Sequence, residues 1–293
     1  MKSLTGKAVV ITGAASGIGE ALARAAAADG ARLLLADVDA ARLEAVAASL
    51  RTQGAHCLTQ TCDVGQAAAL TALAARALHE MGGADVLFNN AGVALVAPVA
   101  SMDMADAHWL MDINFWGVVN GCRAFMPQMQ ARPGGAIVNI SSIFAMISMP
   151  GNAIYNASKA AVRGFSDALR EELRATGLHL LCVHPGGIRT RIVQQARLGD
   201  ISQLADSAQA LRAQFDQHAP TSPQQAAATI LAALHAGRTR VLIGNDARVA
   251  DWIYRLVPTR ASAWLTALAR KRRDRAARAA AQPGSAPSAK DHR

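Results

Sequence analysis

Cysteine, aromatic residues and acidic charge are all scarce in this chain of 293 residues. The four cysteines, Cys57, Cys62, Cys122 and Cys182, lack paired metal-ligand spacing and fall in or near predicted strands and helices, so they read as buried reduced thiols. The eight histidines are scattered, no two at the spacing of a helical or loop metal site, and no zinc is expected. Long hydrophobic runs are missing as well. The apolar run Ala8 to Ile11 that follows Met1 to Lys7 is too short for a signal-peptide core or a membrane span, which sets the cytoplasm as the expected compartment. Aromatics make up 4% of the chain, and the basic stretch near its C-terminus carries no groove-reading motif, so nucleic acid is not an expected partner.

The residues that are present describe one large domain, with a hydrophobic fraction of 52% and enough length for a substantial core. The net charge of +9 is unevenly placed: residues 247–293 hold 11 Lys/Arg against 3 Asp/Glu, a net +8, leaving +1 for residues 1–246. Basicity is therefore a property of the C-terminal stretch and not of the body.

Short apolar runs alternate with longer stretches of helical period, the pattern of a parallel sheet covered on both faces. Strands are predicted at Ala8 to Thr12, Arg32 to Ala36, Ala55 to Thr61, Val86 to Asn89, Gly135 to Ile140, His179 to His184 and Val241 to Ile243. Helices are predicted at 17–29, 39–53, 66–81, 104–131, 153–176 and 223–236. Right-handed crossovers then give an α/β fold, a doubly wound Rossmann-type sheet of seven strands whose ligands collect beyond the carboxyl ends of the strands. On this reading residues 1–246 form the dinucleotide-binding and catalytic domain, with 187–222 as a candidate substrate cap. Residues 247–281 form a basic amphipathic helical extension. The Pro, Gly, Ser and Ala content of 282–293 predicts a disordered tail.

The first strand ends in Thr12-Gly13-Ala14-Ala15-Ser16-Gly17-Ile18-Gly19. Small residues there let the backbone approach a pyrophosphate, and the helix N-terminus adds free N–H groups and partial positive charge. Asp37, at the end of the second strand, can accept hydrogen bonds from an adenosine ribose or serve as an ordinary strand-end cap. Its carboxylate would repel a 2′-phosphate, and no arginine replaces Ser16 or Val38, which favours NAD over NADP. Tyr155 and Lys159 lie four apart on a predicted helix and share a face, so the ammonium can sit near the phenol and, together with a cationic nicotinamide, lower its pKa. On its own such a pair also occurs as a plain helix-surface contact. Ser142 follows the strand ending at Ile140 and precedes Tyr155 by 13 residues. Its hydroxyl can stabilise charge on a substrate oxygen.

Thr12-Gly13-x-x-x-Gly17-x-Gly19, Asn89-Asn90-Ala91-Gly92, Tyr155-x-x-x-Lys159 and Pro185-Gly186-Gly187-Ile188-Arg189-Thr190, in this order, resemble the single-domain branch of the short-chain dehydrogenase/reductase family over about residues 4–246. The resemblance implies a nicotinamide cofactor and a catalytic set of Asn114, Ser142, Tyr155 and Lys159. It implies that Asn114 holds a water in the proton relay from Lys159, and that Lys159 holds the nicotinamide ribose. It also implies that Asn90, Ala91 and Gly92 line the cofactor cleft, that Asp63 and Val64 border the adenine, and that Pro185, Gly186, Ile188 and Thr190 contact the nicotinamide end.

Substrate is expected against Ser142, Phe144, Asn152 and Tyr155. The short loops at Ala94 to Val96, Ile143 to Ala145 and Met149 are apolar, which favours a hydrophobic ketone or secondary alcohol. Two further classes stay open: a non-enzymatic NAD-binding redox sensor, and a membrane-associated dehydrogenase of lipid, steroid or retinoid type. A homodimer or homotetramer is expected. The apolar stripe from Trp252 to Leu268 with the block Arg270 to Arg278 either touches a membrane peripherally or packs on the domain or an oligomer interface.

Overall fold

The computed structural model describes residues 1–132, 134–202 and 207–268. The chain runs β1 (Ala8–Thr12), α1 (Gly17–Ala28), β2 (Arg32–Asp37), α2 (Ala40–Thr52), β3 (Cys57–Thr61), α3 (Ala67–Met81), β4 (Val86–Asn89) and β5 (Leu95–Val96). It continues with α4 (Met104–Met111), α5 (Gly117–Gln130), β6 (Ala136–Ile140), α6 (Ala153–Glu172), β7 (His179–Pro185), β8 (Arg197–Leu198), α7 (Ala208–His218), α8 (Pro223–His235), β9 (Arg240–Ile243) and α9 (Asn245–Leu256).

Seven strands form one parallel sheet in the order β3-β2-β1-β4-β6-β7-β9. The order reverses direction between β1 and β4, and a crevice opens there beyond the strand ends. All five residues of β1 are buried. Val9 and Ile11 enter the core under α1 and α8, while Ala8 and Val10 enter the core under α3 and α5, which is the period-two alternation of a strand covered on both faces. Local chemistry starts the helices: Asp39 accepts from the Arg42 N–H at α2, and Ser222, Pro223 and Gln225 build a capping box at α8.

The helix expected over 104–131 forms as one continuous helical run from Met104 to Gln130, with a wide π turn at Asp112–Trp116 where α4 passes into α5. Glycines let this helix lie close to its neighbours: a Cβ on Gly117 would stand 3.0 Å from a Val64 methyl, and one on Gly121 would stand 2.3 Å from the Asn89 side-chain oxygen. A second departure is the two-residue pairing of β5 with β8, apart from the main sheet, which is too short to leave a pattern.

α9 runs across residue 246 and buries Ala247, Ala250 and Asp251, the last gripped by Arg240 at 2.6 Å. After a turn, residues 261–268 are helical, with Ser262 Oγ accepting from the Ser148 N–H at 2.9 Å. The first part of the basic extension thus packs on the domain. The expected disordered tail 282–293 and the basic block from Arg270 lie outside the described residues.

Candidate active site

The turn after β1 is built so that only backbone faces the crevice. Gly13 and Gly17 have φ of 65° and 58°, a region that a Cβ disfavours. A Cβ on Gly19 would fall 2.0 Å from the Gly13 carbonyl oxygen, and one on Gly13 would fall 2.7 Å from Ala91 Cα. Ser16 is the N-cap of α1 but its side chain makes no capping bond, so the helix terminus presents its amides without a side-chain acceptor. A cradle of this kind fits a pyrophosphate. Asp37 closes its far side: one carboxylate oxygen accepts from Ala15 N–H at 2.9 Å and the other from Asp39 N–H at 3.0 Å.

Asn90 braces the cradle. Its side-chain amide donates to the carbonyls of Thr12 and Gly13 at 2.9 and 3.1 Å, while the Thr12 hydroxyl accepts from the amides of Asn90 and Ala91. Asp63 folds back onto Gly65 N–H, and Val64 is buried against Gly117. On the other side, Thr190 stands over Gly17, its methyl 3.1 Å from where a Cβ would sit. The loop that brings it there, Pro185 to Thr190, is tied down by Gly186 N–H to the Ile243 carbonyl, Gly187 N–H to the Asp246 carboxylate at 2.6 Å, and an Ile188–Thr221 bridge. Arg189 donates to the Ala219 and Pro220 carbonyls, which gives it a local structural partner.

Ser142, Tyr155 and Lys159 meet at the carboxyl end of β6. Ser142 caps the short turn Ile143–Ala145 through the Phe144 N–H, and its hydroxyl acts on the Tyr155 phenol in the direction that lowers the phenol's pKa. Lys159 is buried, donates to the Ile140 carbonyl at 3.1 Å and lies 5.8 Å from the centre of the Tyr155 ring. Ser141 donates to the Lys159 carbonyl and so fastens α6 to β6. Asn114, fully buried in the π turn, pairs its side-chain amide with both backbone groups of Val93 and with Ser158. Its oxygen and Lys159 Nζ converge on Gly92, at 3.2 and 3.4 Å from where a Cβ would be.

Burial pushes the Tyr155 phenol above its ordinary value, and the neighbouring Ser142 hydroxyl opposes that shift only in part. The Lys159 ammonium is itself desolvated, with its pKa pushed down to about 8.

Several residues that support this site escaped the sequence reading. His184 is buried and its Nδ1 contacts the Ser142 carbonyl at 3.2 Å; since a carbonyl only accepts, Nδ1 carries the proton. Burial pushes its pKa down to about 4, so the ring is neutral. A buried chain runs from Asn89 to Asn139 to Ser166 at 2.9 and 3.0 Å and locks β4, β6 and α6 together. Neither has a sequence signal, because a buried histidine or asparagine looks like any other.

Phe144 meets Tyr155 edge-on, with ring centres 6.1 Å apart. Phe144 and Met149 also line a cavity of about 940 Å³, together with Ala153, Ala157, Ser262 and Thr266. Asn152 caps α6 and spends its side-chain N–H on the Pro150 carbonyl at this rim.

Three comparisons agree with this geometry. The sequence profile of the short chain dehydrogenases matches residues 7–201. An oxidoreductase of Mycobacterium tuberculosis named SadH is 39% identical over 260 residues, 88% of this chain and 93% of that one. Two solved short-chain dehydrogenases, each 30% identical, superpose well. One is from Burkholderia phymatum in complex with NAD, with a TM-score of 0.77 over 87% of this chain and 96% of that one. The other is from Streptomyces avermitilis, with a TM-score of 0.76 over 94% and 99%. With its doubly wound sheet, its glycine cradle and these relatives, the chain belongs to the short-chain dehydrogenase/reductase family of oxidoreductases.

Proposed function

We propose that the protein is an NAD(H)-dependent oxidoreductase interconverting a secondary alcohol and a ketone on a hydrophobic small molecule. The observation that carries the reading is the convergence of Ser142, Tyr155 and Lys159 beside a crevice whose walls suit a dinucleotide. The Burkholderia phymatum relative, described as a complex with NAD, supports the cofactor class.

Gly13, Ser16, Gly17, Ile18 and Gly19 would hold the pyrophosphate, Asp37 the adenosine ribose, Asp63 and Val64 the adenine side. Asn90, Ala91, Gly92, Lys159, Pro185, Gly186, Ile188 and Thr190 would border the rest. The Asp37 carboxylate has lone pairs left for ribose hydroxyls and repels a 2′-phosphate, which favours NAD over NADP. When bound, the nicotinamide supplies or accepts the hydride.

Tyr155 handles the proton. With its pKa raised, the phenol is protonated at neutral pH and ready to donate to a carbonyl oxygen; alcohol oxidation needs its deprotonated form. Ser142 shares the substrate oxygen and keeps the phenol aligned. Lys159 would hold the ribose and supplies a cation on the phenol's side of the cleft. Asn114 holds the Val93 backbone so that Gly92 stays clear of that ammonium. A sensor that only binds the cofactor has no use for a serine hydroxyl and a tyrosine phenol set together beside a buried lysine, which argues for the enzyme. A homodimer or homotetramer in the cytoplasm completes the proposal.

The test is a panel of hydrophobic alcohols and ketones followed by NADH absorbance, run with NAD and with NADP, with Tyr155→Phe as control. Turnover with NAD that disappears in the variant supports the reading; a complete absence of turnover in a protein that binds NADH overturns it.

A further inference from the structure

The C-terminal helices expose what a helix ordinarily hides. α9 packs through Ala247, Ala250 and Asp251, and its opposite side carries Val249, Trp252 and Leu256, all exposed. These three are spaced three and four apart and so form a single stripe. Arg248 and Arg255 are exposed on the same helix. In the helical segment 261–268, Ala261 is buried and Leu265 packs on the cluster of Ile143, Met146, Ile147, Ala247 and Ala250, while Trp264 and Leu268 are exposed. Trp252 and Trp264 are 65% and 55% exposed. Among the described residues, half of the large hydrophobic side chains left exposed fall between Val249 and Leu268. The exposure is concentrated, and a lone exposed leucine elsewhere would need no account.

Charge decides what covers this surface. The sequence that follows directly is Arg270, Lys271, Arg272, Arg273, Asp274, Arg275 and then Arg278, in a stretch of net +8, against +1 for all of residues 1–246. A second copy of the chain would bring the same basic stretch against itself, which is repulsive. Nucleic acid would use the arginines but leave the tryptophans and leucines in water. An anionic lipid surface uses both: indole rings and leucines enter the boundary between headgroups and acyl chains, and the arginines meet the phosphates.

We propose that the surface from Val249 to Leu268, with the exposed Arg248, Arg255 and Arg260, docks the protein on an anionic membrane surface without crossing it, the net positive charge of the sequence that follows adding to the attraction. No helix among the described residues is long and apolar enough to span one. The docking is independent of the catalytic reading.

The experiment is co-sedimentation of the full-length chain with vesicles of phosphatidylcholine alone and of phosphatidylcholine mixed with phosphatidylglycerol. The chain should pellet with the anionic vesicles, stay in solution with the neutral ones, and be released as salt rises. W252S/W264S, whose melting temperature should equal that of the wild type because both side chains are exposed, should lower partitioning at least about tenfold. Replacing Arg270, Lys271, Arg272 and Arg273 by Gln should do the same. Failure of the wild type to pellet with anionic vesicles overturns the proposal, and so does undiminished pelleting of W252S/W264S. Two results assign the surface elsewhere and likewise overturn it, each in the absence of vesicle binding: a smaller oligomer in W252S/W264S by size exclusion with light scattering, or salt-sensitive retention on duplex DNA.

Discussion

In the proposed reaction Tyr155 and Lys159 carry linked but separable tasks, and single substitutions separate them. Tyr155→Phe keeps the ring against Phe144 and removes the oxygen that moves the proton, so turnover should fall by about 10² to 10⁴-fold while NADH affinity survives. Lys159→Met removes the buried cation and should lower both, as measured by NADH titration and single-turnover hydride transfer. The raised phenol pKa also sets the pH profile: ketone reduction should hold through neutral pH and decline in the alkaline range, where alcohol oxidation increases. Near-normal hydride transfer in Tyr155→Phe would remove the phenol from the mechanism. His184 gives a stability prediction with a definite sign. Its folded pKa of about 4 lies below the unfolded value of 6.5, so the unfolded chain takes up a proton that the fold refuses. Stability is full above about pH 6.5 and should decline by about 3 kcal/mol as pH drops toward 4. His184→Asn keeps an N–H for the Ser142 carbonyl without titrating in this range, and urea titrations should show its pH slope in that window to be shallower. The two tyrosine-pair residues were readable from the sequence because their spacing on a helix is meaningful; His184 was not, since its value lies in what it touches.

At the scale of elements, the seven strands of the main sheet and the helices between them were legible because apolar runs and helical periods alternate, whereas β5 and β8 were not. The limits of that reading appear at α4 and α5. A continuous helical pattern over 104–131 gives no warning of the π turn, nor of how closely Gly117 and Gly121 let the helix press against Val64 and Asn89. Gly121→Ala puts a methyl 2.3 Å from the Asn89 oxygen and so strains the Asn89–Asn139–Ser166 chain. It should destabilise the fold by about 1 to 3 kcal/mol, measured by thermal or urea unfolding, although alanine is the better helix former. An unchanged melting temperature would show that α5 has room to shift. The glycine cradle was legible for the opposite reason: three glycines between a strand and a helix imply a function for the backbone itself.

Across the whole molecule, the site depends on segments far apart in the chain. Ile143, Met146 and Ile147, which follow Ser142, share a cluster with Ala247 and Ala250 of α9 and with Leu265. Removing residues 257–293 should therefore lower the melting temperature by a few degrees and reduce turnover, whereas removing 282–293 should do neither; differential scanning fluorimetry and the NADH assay test both. Equal behaviour of the two truncations would deny residues 257–281 a structural part. The sequence by itself determined the class of sheet, the backbone cradle, the carboxylate at Asp37 and the pairing of Tyr155 with Lys159, because each follows from short-range spacing and local stereochemistry. Only the tertiary structure decided that burial works against ionisation of the Tyr155 phenol, that His184 stands behind Ser142, and that the C-terminal helices bury alanines while exposing tryptophans. Those outcomes depend on desolvation and on contacts between residues distant in the chain, and neither is encoded in local pattern.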